Sequence, residues 1–335
     1  MDSTGNTAEA SGLLRKAVSF AAFMIRTLLP SALLLFTLLV LTGWIVGDIT
    51  PFFQWLSWVP ASVLLLVLLF AFLLFGRPAG RTGVSVRILT SGLFFFMLAW
   101  VCGLDYGFLR AIEAHEDDLV LVNWNATIPP GDESFQEARG LSGEALDLLT
   151  SLDGEVVVIF NGSYLTLSSR WESFKSSFAH VTRSGGAMVL STHEILEVRP
   201  ILATRGSLVV KIRVRYLGEE MVIWGFDLPS SPYLSRHELF ASLKETLGRL
   251  NEPVPDLLVG DFNVPRNSQA LRRAFPEFRN AFSEAGSGWS GTWPAFFPLW
   301  DLDQIRVGSE YSAVRYAVVT PPVGMHRIQS VILRR

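Results

Sequence analysis

Three runs without a charged side chain dominate the first third of the chain. They lie between Arg26 and Asp48, between Asp48 and Arg77, and between Arg87 and Asp105. A helix needs about 20 apolar residues to cross a bilayer core and tolerates about 17. Each ionised group at the membrane centre costs about 2.5–3.5 kcal/mol on insertion scales. These lengths therefore predict three transmembrane helices. A signal peptide is the rival reading of the first run, but that run exceeds a typical apolar signal core and no small-x-small cleavage site follows it.

Flanking cations orient the expected spans. Arg15, Lys16 and Arg26 precede the first, and Arg77, Arg81 and Arg87 fill the second connection, whereas the first connection carries only Asp48. Cations stay on the cytoplasmic side, so the N-terminus is expected inside and everything after Asp105 outside. That is a multi-pass arrangement in the cell (inner) membrane, with the lipid bilayer as partner. Trp44, Trp55, Trp58 and Trp100 fall near the expected span ends, where they serve as interfacial anchors or as ordinary lipid-facing residues. No ionisable residue lies deep in a run, and such groups are what ion pathways are built from. The expected role is therefore an anchor. The organisation reads as a cytoplasmic segment (1–26), a three-helix anchor (27–104) and a folded domain (105–335).

That domain holds 22 Lys+Arg against 28 Asp+Glu, a net charge of about −6. The single cysteine, Cys102, excludes a disulfide framework. Its apolar neighbours predict a buried thiol.

Short apolar strands are expected at 119–124, 155–160, 187–190, 208–216, 221–226, 256–259, 303–307, 314–319 and 328–333. Helices are expected at 142–152, 170–179, 235–250 and 268–275. Val156–Phe160 is apolar throughout, as in a strand buried on both faces. Lys211, Arg213 and Arg215 alternate with Val210, Ile212 and Val214, predicting one polar face, either solvated or in contact with phosphate. Ser235 and Glu238 make a capping-box pattern. Two strand-rich halves separated by helices suggest stacked sheets clad by helices, an α/β class.

The segment Leu257-Leu258-Val259-Gly260-Asp261-Phe262-Asn263 carries the strongest chemical signal. An apolar strand runs into a Gly-Asp-x-Asn turn that projects a carboxylate and an amide past the strand end. Such a pair can orient a water and a phosphate oxygen together. Asx residues also close turns with no further role. Downstream, Asp303-Gln304-Ile305 opens a strand, Gly291-Thr292-Trp293-Pro294 precedes it, and Gly324-Met325-His326-Arg327 leads into the last strand.

With Trp124-Asn125 ending the first strand, this order resembles the endonuclease/exonuclease/phosphatase superfamily over roughly residues 118–335, in its membrane-anchored bacterial type. The resemblance implies a DNase I-like four-layer α/β sandwich with two packed, mainly antiparallel sheets. It also implies attack of water on a phosphoester assisted by Mg²⁺ or Mn²⁺. Asn125, Asp261, Asn263, Asp303 and His326 match the family's catalytic positions, with Asp303 orienting His326. Asn263 and Asp227 fall where substrate is held, and Asn161 and Asp261 where the metal is expected.

Three positions depart from the family's pattern. Asn161 stands where it has a metal-binding Glu, Met325 where it has an Asp, and Asp227 where it has a His. A thioether is a poor partner for a hard cation. Two readings follow: an outward-facing, membrane-anchored phosphoesterase with a degenerate metal site, or a catalytically inactive binding module on the same fold. His193 reads as a loop histidine. The acidic balance disfavours nucleic acid as substrate, because a phosphate backbone calls for a cationic groove, and leaves the class of phosphoester open.

Overall fold

The computed structural model describes residues 4–23, 28–74, 80–106, 114–115, 118–204 and 206–335. The chain divides into two compact units: 1–46 with 55–101, and 47–54 with 102–335.

The first unit is helical. Its helices are α1 (Thr4–Phe23), α2 (Leu29–Val46), α4 (Ala61–Leu74) and α5 (Gly80–Trp100), while α3 (Pro51–Ser57) begins in the second unit. Val40, Leu64, Leu68 and Met97 are buried where α2, α4 and α5 meet, and Trp44 Nε1 donates to the Val59 carbonyl at 3.2 Å. Leu35, Leu38, Leu66, Phe70, Ile88 and Phe95 face outward.

The second uncharged run is not one helix. It breaks between Ser57 and Ala61, where Pro60 disfavours helix at the residue before it. Among the described residues no single helix is long and apolar enough to cross a membrane. The residues 31–46 of α2 meet that test only together with α3, bent by 112°. Arg26 and Arg77 lie outside the described residues.

The second unit is an α/β sandwich of two six-stranded sheets. The first contains β1 (Leu119–Asn125), β2 (Val156–Phe160), β3 (His180–Ser184), β4 (Ala187–Ser191), β11 (Ser312–Val319) and β12 (Ile328–Arg334), in the order β11-β12-β1-β2-β4-β3. The second contains β5 (Ile195–Thr204), β6 (Ser207–Tyr216), β7 (Glu219–Asp227), β8 (Leu257–Asp261), β9 (Arg279–Asn280) and β10 (Asp303–Val307), in the order β5-β6-β7-β8-β10-β9. Among the strand pairs of the described residues, β1/β2 and β7/β8 are parallel and the rest are antiparallel.

Period-two alternation assigns the faces. Leu121, Val158, Phe160, Ile212, Ile223, Val259, Ile305 and Val331 fill the space between the sheets. On the outer face of the first sheet, Val122, Trp124, Val157 and Ile159 pack under α6 (Asp132–Ser151) and α7 (Trp171–Ser176) through Leu146, Leu149, Trp171 and Phe174. Val156–Phe160 is thus buried on both faces. On the other side, α8 (Arg236–Arg249) and α9 (Gln269–Ala274) pack together. Phe275, after α9, places its ring 5.9 Å from Phe226 of β7. The Ser235 side chain caps α8, accepting from the Glu238 amide at 3.3 Å.

Strands β3, β5 and β9 and the short helix α10 (Ala281–Ala285) carry no clear sequence signal, and α6 starts ten residues before its expected bound. All three strands are sheet edges. An edge strand buries less, so its alternation is weaker, and it accommodates Pro200 and register shifts that a central strand would not.

Two expectations are corrected. Lys211 is buried, not solvated, bonding Glu197 at 2.9 Å and Glu252 at 2.8 Å. Arg213 pairs with Glu220 and Arg215 with Glu194. Acidic residues on β5, β7 and the loop after α8 neutralise this face. Cys102 is exposed on the π turn Val101–Asp105, where Trp100 before it is exposed too and Val101 takes the buried side.

Candidate active site

The two parallel pairs end at one edge of the sandwich. Asn125 is paired with Phe160, so Asn161 follows directly beside it. Asp227 lies opposite Asp261 across β7/β8, and Asp303 lies opposite Asp261 across β8/β10. The registers gather Asn125 with Asn161 in one sheet and Asp227, Asp261 and Asp303 in the other, and bonds from Asn125 to Asp261 and from Asn161 to Asp227 join the two groups.

Gly260 makes the turn possible. Its φ is +123°, and a Cβ there would stand 2.0 Å from the Phe226 carbonyl oxygen. Beyond it, Asp261 Oδ1 accepts from the Asn263 amide at 2.9 Å. Asn263, at φ 50°, donates its side-chain amide to the Leu228 carbonyl at 2.7 Å. Asp261 Oδ2 accepts from Asn125 Nδ2 at 3.0 Å and lies 3.9 Å from His326 Nε2. Asp303 Oδ2 lies 2.8 Å from His326 Nδ1. All three of Asp261, Asp303 and His326 are buried. Asn161 Nδ2 donates to Asn125 Oδ1 and to Asp227 Oδ2, each at 3.0 Å.

Charge follows from this crowding. Burial pushes the Asp261 carboxyl up to about 7, helped by the Asp303 charge and opposed by His326. Burial likewise raises Asp227, against its hydrogen bond from Asn161. Burial alone would lower His326, but the Asp303 carboxylate, with Asp261 and Asp227, raises it to about 9. The site thus holds an imidazolium between two carboxylates, one of which is easily protonated.

Several supporting residues escape the sequence reading. Thr292 Oγ1 accepts from the Asp303 amide at 3.1 Å, and Trp124 Nε1 donates to the His326 carbonyl at 3.1 Å. Gln329 donates to the Asp303 carbonyl and to Tyr316 Oη, both at 2.6 Å, while accepting from Asn123 at 2.8 Å. Only Thr292 and Trp124 stood in segments with a recognisable pattern. Buried amides such as Gln329 and Asn123 look like strand residues until their partners are known. His193 lies away from this group, 3.3 Å from Glu155.

The residues from 104 to 332 match the model of the Endonuclease/Exonuclease/phosphatase family. The chain belongs to this family. Members of this family generally use a divalent metal ion. No curated protein matches the chain in sequence. Among solved structures it is similar to a mannosyl-6-phosphatase from Bacteroides thetaiotaomicron VPI-5482, at 15% identity and TM-score 0.53, over 65% of this chain and 100% of that one. A functionally unknown conserved protein from Enterococcus faecalis V583 aligns at 13% identity and TM-score 0.53, over 64% and 99%. An endonuclease/exonuclease/phosphatase family protein from Bacteroides thetaiotaomicron aligns at 16% and 0.50, over 64% and 94%. These likenesses establish the fold.

A resident Mg²⁺ would want oxygen ligands, including one or two carboxylates. The donors at the expected place do not fit that demand. Asn125 Oδ1 already accepts from Thr127 Oγ1, the Thr127 amide and Asn161 Nδ2. Asn161 turns its amide hydrogens to Asn125 and Asp227, the Met325 side chain offers only sulfur, and the carboxylate oxygens of Asp227 and Asp261 already accept from Asn161 and from Asn125 and the Asn263 amide. Asp261, Asp303 and His326 do bring ligand atoms within 4.8 Å of one another. A cation bound at His326 Nε2 would have to displace the second proton of the imidazolium, while the Nδ1 proton could stay on Asp303.

Proposed function

We propose that this chain is a phosphoester hydrolase whose chemistry rests on its own Asp261, His326 and Asp303. One observation carries the reading: a buried imidazole bonded to one carboxylate stands 3.9 Å from a second whose own charge is disfavoured. Asp261 is suited to accept a proton from an attacking water, since its raised value makes it a base matched to neutral pH. His326, kept protonated by Asp303, would stabilise negative charge developing on the phosphate. Asp303 is the orienting group.

The catalytically inactive binding module remains the second reading, favoured by the Asn161 bridge that closes the expected metal position with hydrogen bonds. We further infer that residues 28–104 associate with a lipid bilayer, with the second unit extracytoplasmic. Supporting this are the outward-facing apolar residues on α2, α4 and α5 and the flanking cations in the sequence. The ion-paired β6 face and the acidic balance argue for a small or lipid-borne phosphoester over nucleic acid.

The test uses the full chain with bis(p-nitrophenyl) phosphate and p-nitrophenyl phosphate. Asp261→Asn should lower turnover at least a hundredfold while the fold persists. Wild-type turnover equal to the variant's would refute the hydrolase reading.

A further inference from the structure

A connection that merely joins two apolar helices needs no buried polar side chain. The stretch Gly47–Gln54 has two, and it packs as part of the second unit. Asp48 is 1% exposed and Gln54 2%. Asp48 Oδ1 accepts from the backbone amides of Gln269 at 2.8 Å and Ala270 at 2.9 Å, and Oδ2 accepts from the Ser268 hydroxyl. A buried carboxylate is costly unless donors meet it, and here three do. Gln54 Nε2 donates to the carbonyls of Pro232 at 3.1 Å and Leu234 at 3.0 Å, while its Oε1 accepts from the Arg236 amide at 2.9 Å.

These six bonds grip two loops and the first residues of the helices that follow them, α8 and α9, and each loop leaves a strand that ends at the site. Residues 228–235 follow Asp227, and residues 262–268 follow Asp261. The loops are already tied together beside the reacting groups. The Leu228 amide donates to the Asp261 carbonyl at 3.0 Å, and Asn263 Nδ2 donates to the Leu228 carbonyl. Arg236, fully buried, holds the first loop from within through the carbonyls of Pro229 and Ser231. One segment far away in sequence thus closes a ring: Asp48, the 262–268 loop, Leu228, the 229–235 loop, Gln54.

We infer that Gly47–Gln54 is a clamp on the site, and that Asp48 and Gln54 are positioning residues that hold the loops carrying Asp227 and Asp261–Asn263 at their working separation. The clamp spans the junction of the first two uncharged runs at Asp48, so a fragment beginning at residue 102 lacks it. The inference rests on the hydrolase reading only for its activity arm.

The test compares the full chain with Asp48→Ala, Asp48→Asn and Gln54→Ala. Amide hydrogen exchange is read first. Gln269 and Ala270 should exchange at least tenfold faster in Asp48→Ala, and Arg236 in Gln54→Ala. The increase should spread to the amides of Leu228 and Asn263, which no clamp side chain touches. Faster exchange confined to the touched amides would overturn the inference. Turnover of bis(p-nitrophenyl) phosphate is read second. Asp48→Ala and Gln54→Ala should lose tenfold or more in kcat with KM within twofold. Asp48→Asn, which keeps an acceptor for the two amides, should stay within threefold of wild type. Unchanged kcat in Asp48→Ala would overturn positioning. If wild type itself shows no turnover, the hydrolase reading fails and the exchange arm alone decides the clamp. If Asp48→Ala does not fold, Gln54→Ala is read by the same exchange criterion.

Discussion

Replacing Asp303 by Asn should uncouple His326 from its proton. The structure raises this imidazole to about 9, chiefly through the carboxylate 2.8 Å from Nδ1 and against the effect of burial. Compared with an ordinary value near 6.5, that shift corresponds to roughly 3 kcal/mol of preference for the charged form. In Asp303→Asn, burial is left with Asp261 and Asp227 as its only counterweights, so the midpoint should fall by about two units. At pH 8 the imidazolium fraction would drop from about nine-tenths to less than one-tenth, and turnover should fall at least tenfold. Selective labelling makes the titration readable by NMR, since the chain has only five histidines. Stability supplies an independent check. A histidine raised on folding contributes stability that is complete below its unfolded value and is lost as pH rises through about 9. Wild type should therefore lose stability between pH 7.5 and 9.5, above the range in which Asp261 titrates, and Asp303→Asn should lose much less. A wild-type midpoint below 7, or a variant midpoint still near 9, would refute the reasoning.

Two other perturbations test different parts of the structure. Isothermal titration should show no saturable Mg²⁺ or Mn²⁺ binding to wild type below about 1 mM, whereas Asn161→Glu with Met325→Asp should create it by restoring two hard ligands; tight wild-type binding would show that the amide-bridged pole still accepts an ion. Lys211→Ala should cost about 2 kcal/mol in chemical denaturation, because it removes the buried cation bonded to Glu197 and Glu252 and leaves the more exposed Arg199 as the cation between them. A loss below about 1 kcal/mol would mean that water reaches those carboxylates.

The central strands were plain in the sequence because a strand buried on both faces must be apolar throughout, as Val156–Phe160 is. Edges were not: β5 contains Pro200 and half-buried side chains, and nothing local distinguishes it from a loop. The Gly-Asp-x-Asn turn was visible because its backbone needs a glycine at one place. Lys211 misled for the opposite reason. Alternation reports which face a residue takes, but not whether acidic partners on β5 and beyond α8 cover that face. The second uncharged run misled in another way, since lack of charge limits where a segment can reside without fixing that it stays helical through Pro60.

Sequence alone determined the apolar first third, the acid-rich second part, the strand cores and the residue types available for chemistry, all of which depend on neighbours within a few positions. Tertiary structure decided what those residues do to one another. The registers of β1/β2, β7/β8 and β8/β10 set Asn125 beside Asn161 and Asp261 between Asp227 and Asp303, and side-chain contacts between the sheets join the two groups and place His326 between two carboxylates. Burial then shifted their protonation, and the Asn161 bridge closed the position where a metal was expected. Asp48 and Gln54 joined the edge of the same site across some 180 to 220 residues of chain. Hydrogen bonds and electrostatic fields depend on distance in space, and distance along the chain carries almost no record of it.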